Sequence, residues 1–330
     1  MSDLTKDQIG HDEKIISPSK MLILKFKANK LAMFGLIAFI IIVVIVVVSQ
    51  LYIRITGYNL GDISRIGTHK NLPPSFENFF GTDKYGRDYF LRVLAGGWIS
   101  LQVGILATII SVTIGIIIGS IAGFFGGKVD MALMRFAEVV SAFPFLAASI
   151  TISVIFIDAP ETEKLFFMIF VLGILRWTGL ARMVRGQILS LREQEFMIAS
   201  KALGIKTRNQ ICRHLIPNVM AYVIVSATIT FAVAIILEAA LSFLGLSISE
   251  PVPTWGGLLQ RASTSSIMKN QWWLWISPGF LLFSLIMSVN LIGEGLRDAV
   301  DPKSGYHEKD KKSIFSRLFK VKRGVKQCQK

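Results

Sequence analysis

Three groups of residues in this chain have types and spacings that could do chemical or mechanical work. The first is the stretch 192–218, REQEFMIASKALGIKTRNQICRHLIPN. Phe196, Ala199, Ala202 and Leu203 fall at i, i+3, i+6 and i+7 on one side of a short helix, while Glu195 and Lys201 stay polar. Gly204 is placed to stop that helix as a C′ glycine. After Ile205 a second short helix is expected, ending where Pro217, with Asn218, opens a longer one. A small-residue helical face beside a glycine break suits a groove on a soluble partner; a solvated connecting loop reads the same way. The second group is a single acid, Glu238, directly after the uncharged run 214–237. It could receive a cationic amine on a pathway, or close a helix near an interface, bonded to backbone. The third is Asp83, Arg87 and Asp88 within the turn-rich string FGTDKYGRD at 80–88. These three could form an internal polar cluster or gate, or meet a protein outside the cell.

Other chemistries find no support. His11, His69, His214 and His307 are scattered, and Cys212 and Cys328 lie far apart without CxxC or Cys/His spacing, so no metal site and no disulfide framework is expected. The nearest string to a phosphate-cradling loop is Gly126-Gly127-Lys128, but Val129 follows it and Ala122 stands at the first glycine position. No nucleophile stands with a base. The chain is expected to hold no cofactor and to catalyse nothing itself.

The elements that position these groups follow from composition. Of 330 residues, 52% are hydrophobic and only 18% charged, with mean hydropathy +0.55, where soluble domains carry about 25% charged residues. The runs 31–53, 93–127, 139–157, 214–237 and 270–293 contain no Asp, Glu, Lys or Arg, and about 20 such residues cross a bilayer core. A weaker span at 165–184 tolerates Arg176 near one end, where it can snorkel or face other helices. The expectation is an all-α polytopic membrane protein with six helices, at about 31–53, 100–125, 132–157, 165–184, 217–243 and 272–294. The first run starts too late and is too long for a cleavable signal.

Charge sets the topology. Residues 1–30, 126–135, 176–213 and 297–330 hold 27 Lys and Arg, whereas 54–98, Lys164 and 245–272 hold 9. Both termini and the 185–216 loop are therefore expected in the cytoplasm. The net charge of +14 reads as a topological signature with some attraction to anionic lipid, not as a nucleic-acid site. The segments become a cytoplasmic 1–30, a first span 31–53, an outer segment 54–98, a five-helix core 99–297 and a basic tail 298–330. Gly115, Gly119 and Gly123 repeat at four-residue spacing, which predicts close helix packing. Pro144 predicts a kink in the third span. Arg135 and Glu138 are spaced as an i,i+3 pair. Trp255, Trp272, Trp273 and Trp275 read as an aromatic interface belt. The basic, amphipathic 313–323 suits an interfacial helix or a solvated tail.

The 192–218 stretch resembles the "EAA" loop of bacterial ABC importer permeases. Gly204 and Pro217 match its spacing, Ile198-Ala199-Ser200 stands at the Glu-Ala-Ala position without the signature glutamate, and Glu195 lies one turn earlier. The forms A-S-K-A-L-G (199–204) and R-H-L-I-P-N (213–218) resemble the dipeptide, oligopeptide and nickel branch. The 80–88 string, the block E-A-A-L-S-F-L-G-L at 238–246 with Pro251, Pro253, Trp255 and Gly256, and N-L-I-G-E-G-L-R-D at 290–298 with Asp301 and Pro302 are similar to that branch's blocks, in its order. The chain resembles the second permease subunit of such an importer.

The resemblance implies a type I importer permease fold in a bacterial inner membrane. Its implied partners are a second, similar permease, two ATPase subunits that bind ATP and magnesium, an extracytoplasmic solute-binding protein and membrane lipid. The coupling residues it implies are Glu195, Ala199, Ser200, Lys201, Ala202, Leu203, Gly204, Ile205 and Pro217. Di- or oligopeptide is the expected cargo, with nickel or a nickel chelate as the alternative. A secondary transporter remains the remote alternative, although internal repeats and paired broken helices are not evident.

Overall fold

The computed structural model of the chain describes residues 18–63, 69–156, 158–246 and 252–301. In chain order the helices are α1 (Pro18–Ala28), α2 (Lys30–Thr56), α3 (Tyr89–Phe125), α4 (Gly127–Ala142), α5 (Phe145–Ile155), α6 (Glu161–Leu191), α7 (Glu195–Ala202), α8 (Thr207–Asn209), α9 (Ile216–Phe243), α10 (Trp255–Ala262), α11 (Ser265–Asn270) and α12 (Trp273–Val300). Only one isolated bridge, Thr82 with Asp88, interrupts the helical pattern among the described residues. Residues 313–323, Pro251, Pro302, His11, His307 and Cys328 lie outside the described residues.

Five helical rods are long and apolar enough to cross a membrane: α2, α3, α6, Thr207–Phe243 and α12. The sixth crossing differs from the single kinked helix expected over 132–157. Here α4 and α5 meet at 73°. Pro144 offers no N–H and forces the preceding Phe143 into extended backbone, with ψ 126, so α4 must end at Ala142.

One other boundary also differs. Helix α3 starts at Tyr89, crossing the expected 98/99 boundary, because Asp88 caps it and the charge of Arg92 is neutralised inside the protein. Pro217 stands in the first turn of α9, which α8 joins through a π-helical turn at Gln210–Leu215. Proline clashes with the carbonyl four residues earlier, and a wider turn relieves that clash without breaking the rod.

Glycines set the packing. Helices α3 and α6 run side by side in the same direction. A Cβ on Gly115 would stand 2.5 Å from Leu180 Cδ2, one on Gly119 2.5 Å from the Ala181 carbonyl oxygen, and one on Gly123 2.9 Å from that of Arg185. The four-residue glycine spacing is thus one continuous intramolecular seam, which lets two backbones touch without a hydrophobic driving force. Helices α2 and α12 pack antiparallel through Gly35, whose Cβ would lie 2.8 Å from the Ser288 carbonyl oxygen.

Pro278 sits inside α12, so the Leu274 carbonyl loses its helical donor. The Tyr89 hydroxyl donates to it instead at 2.7 Å, as buried backbone in a membrane requires. By helix direction, the described ends Pro18 and Asp301 share one side of the bundle with α7. The Asn29 amide reaching Asp298 at 3.4 Å draws the two ends together.

Candidate functional site

Helix α7 stands outside the spans. Met197 and Ser200 are buried, and Met197 joins Val184 and Ile188 of α6, Leu215 of the π turn and Val219 of α9. That anchored edge leaves Phe196, Ile198, Ala199, Ala202 and Leu203 facing outward, with Leu203 79% exposed. Glu195 and Lys201 are exposed as well. Gly204 adopts φ +69°, which ends the helix, and its N–H donates to the Lys201 carbonyl. The Ile205 N–H then reaches back to the Ser200 carbonyl at 3.2 Å. Below the turn, Gln210 is buried and its amide donates to the Ile205 carbonyl at 2.7 Å. The loop is a short stiff helix with an apolar outer face on a bonded base. Pro217 lies beyond this base, inside the rod.

Charged pairs that sequence spacing did not suggest hold the base. Arg185 grips Asp130 with both nitrogens, at 2.6 and 2.5 Å, joining α6 to the first turn of α4. Arg192 donates to the Gly123 and Phe124 carbonyls at 3.1 and 3.4 Å, closing the C-terminal end of α3. The only clue to either lay in the glycine seam, which brings 123 beside 185–188. The i,i+3 pair Arg135–Glu138 does form, at 2.9 Å, in solvent.

At the opposite end, Asp83, Arg87 and Asp88 come together but do not stand open. Arg87 donates to Asp83 through Nε at 2.7 Å and Nη2 at 2.6 Å, both side chains almost wholly buried. The other Asp83 oxygen accepts the Tyr85 and Arg87 backbone N–H groups, and Arg92 Nε lies 3.8 Å away. Asp88 accepts from the Phe90 and Leu91 N–H groups and so starts α3. Trp273 and Trp255 are core residues, contrary to the expected belt. The Trp255 indole donates to the Val93 carbonyl at 2.8 Å and that of Trp273 to Thr82 at 3.5 Å, because a buried indole N–H needs an acceptor that the protein must supply. Trp272 and Trp275 stay partly exposed.

Glu238 is completely buried. Ser242 donates to it at 2.7 Å, and the hydroxyls of Ser100 on α3 and Thr254 before α10 also face it. Beside it, Gly256 packs on the backbone of Ala239. The acid therefore sits at the joint of α3, α9 and α10, away from this chain's surface. Among the described residues no group of His, Cys, Asp or Glu is arranged to hold a metal.

The profile of the binding-protein-dependent transport system inner membrane component matches residues 115–306, more than half of the chain. The chain belongs to that permease family. A second profile, the N-terminal membrane domain of oligopeptide transport permease C, matches residues 17–74. The permease is 37% identical over 298 residues to the oligopeptide transport system permease protein OppC of Bacillus subtilis, covering 89% of this chain and 94% of that one. It is 41% identical over 281 residues to OppC of Haemophilus influenzae, covering 84% and 86%. The dipeptide transport system permease protein DppC of Bacillus subtilis is 38% identical over 279 residues, 84% of each. The permease is accordingly a multi-pass protein of the bacterial inner membrane.

Proposed function

We propose that this permease forms half of the translocation pathway of an ATP-driven importer of di- and oligopeptides, with α7 as the joint to an ATPase subunit. The observation that carries the reading is the outer face of α7. An apolar surface of Phe196, Ile198, Ala199, Ala202 and Leu203 on a stiff cytoplasmic helix has no reason to stay in water unless a partner covers it. Peptide as cargo rests on the likeness to OppC and DppC permeases over most of their length.

In this reading Glu195 and Lys201 rim the joint, Ser200, Gly204 and Ile205 set its shape, and Pro217 marks where the base enters the membrane. ATP and magnesium sit on the two ATPase subunits. Their closure moves α7 and biases the permease pair between inward-open and outward-open states, which requires that the ATPases bind the two states unequally. A second permease completes the pathway and a solute-binding protein delivers cargo on the outer side. The distribution of Lys and Arg supports α7 and both termini in the cytoplasm. Asp83, Arg87 and Asp88 brace the outer loop, and Glu238 holds α3, α9 and α10 together while the halves move.

Purification through this subunit in mild detergent, with mass spectrometry of what remains bound, tests the assembly. Two ATPases and a second six-helix permease are expected, and ATP-dependent uptake of a labelled peptide by the reconstituted complex is expected to follow. Repeated recovery of this chain alone, or only with itself, would overturn the reading.

A further inference from the structure

Helix α6 has one face with no partner in this chain. Its packed face meets the α3 glycine seam, while Arg176, Gly179, Arg182 and Gly186 form an exposed stripe, and a Cβ on either glycine would meet open space. Arg176 lies 15 residues from Glu161, about 22 Å along the helix, and therefore within the span. Neither Arg176 nor Arg182 makes a hydrogen bond or ion pair among the described residues. Guanidinium groups at this depth do not face lipid tails; they face protein or water.

Opposite this stripe the chain breaks. Trp177 stacks with Phe136 at 6.0 Å, and Ser141 donates to Thr178 at 2.9 Å, which seats the end of α4 against α6 just before the 73° turn at Pro144. The first amides of α5 have no side-chain cap. Irregular backbone at membrane depth survives only where it lines a cavity or is covered by protein. A cleft of about 350 Å³ lies there, lined by Ser141, Phe143, Phe145, Arg176, Gly179 and Arg182. Two forked cations and the positive end of a helix thus converge on one membrane-embedded space.

We infer that this cleft is a carboxylate-recognising station on the pathway, which takes the C-terminal carboxylate of a peptide in transit. The inference rests on the peptide reading above. A peptide end carries a full negative charge that is costly to move through a low-dielectric passage, and an arginine fork matches a carboxylate in shape and charge. The open cleft keeps such a contact weak enough to release, which conduction requires.

The test uses the complete complex in proteoliposomes and compares uptake of trialanine with that of trialanine amide. The quantity read is the acid-to-amide rate ratio of wild type divided by that of the Arg176→Gln, Arg182→Gln double variant, so that any preference of the binding protein cancels. A double ratio of about ten is expected on losing a charge-assisted pair, falling most of the way back toward one when Arg176→Lys, Arg182→Lys takes the place of the Gln variant. A third peptide, an amide carrying one Glu side chain, separates the two carboxylate sources; preference for it equal to that for the free terminus would overturn the C-terminal assignment. The inference is also overturned if the double ratio stays within twofold of one in an intact, ATP-hydrolysing complex. Loss of the second permease from the Gln variant overturns it too, because the arginines then serve the joint between subunits. A wild-type complex that imports neither trialanine form overturns the peptide reading instead.

Discussion

Replacing Leu203 by Ala should separate docking from folding. Leu203 closes α7 with its side chain 79% exposed, so its apolar carbons contribute little to the folded permease. Alanine fits the same backbone, because the φ at Leu203 is an ordinary −76° and the left-handed turn belongs to Gly204. The substitution removes three carbons, each worth about 0.8 kcal/mol when buried, and four-fifths of that burial remains to be gained on a partner. Association with the ATPase should therefore weaken by about 2 kcal/mol, or about thirtyfold in Kd. The assay is titration of purified ATPase onto the detergent-solubilised permease, with thermal unfolding of the permease alone in parallel. Melting should stay at the wild-type value. Met197→Ala provides the contrast: that side chain is fully buried against α6 and the π turn, so melting and docking should fall together, with a stability loss of about 2–5 kcal/mol. A Leu203→Ala affinity within twofold of wild type, with Met197→Ala behaving as stated, would refute the assignment of this face to the ATPase.

Three further outcomes follow from packing. Gly119→Val should force α3 and α6 apart, since even a Cβ would stand 2.5 Å from the Ala181 carbonyl oxygen; a loss of at least about 1–3 kcal/mol is expected in denaturation from mixed micelles. Tyr89→Phe strands the Leu274 carbonyl that Pro278 cannot serve, at a cost of about 1–3 kcal/mol in the same assay. Asp83→Asn removes the carboxylate that buried Arg87 grips, a loss of about 3–5 kcal/mol, and should expose Lys84 and Arg87 to trypsin added from the outer side.

What was legible in the sequence was what lipid imposes directly. Uncharged runs located four of the five rods, all but α6, and the spacing of Gly115, Gly119 and Gly123 foretold a seam because small residues at that spacing have few other uses in a membrane helix. Gly204 announced the end of α7, since only its backbone freedom suits φ +69°. The misreadings share one cause, a local signal answered by a distant partner. Arg92 lay within the expected outer segment 54–98, yet the Leu60 carbonyl accepts from it at 2.7 Å and Asp83 lies beside it, so α3 runs through it. Trp255 looked interfacial, but its indole finds Val93, 162 positions away. Pro144 promised a kink, whereas the 73° turn depends on how the ends of α4 are seated on Trp177 and Thr178.

The same seating connects the two ends of the proposed mechanism. Met197 of α7 packs on Val184 and Ile188, and Arg176 stands twelve residues before Ile188 on the same helix, about 18 Å along it. Between them α6 cannot slide freely on α3, because each glycine of the seam receives a particular residue of α6 and a shift by one position would drive side chains into backbone. Nor can α4 stay behind, since the Asp130–Arg185 pair and the Ser141–Thr178 bond tie its two ends to α6. A push on α7 therefore moves α3, α4 and α6 as one unit, and α5, which packs on that unit through Phe145 and Ile150 and through Phe156 on Phe167, joins α4 across the break. The arginine cleft lies at that break, lined by Ser141 and Phe143 at the end of α4 and Phe145 at the start of α5, so a change in the angle between the two helices alters the space around Arg176 and Arg182.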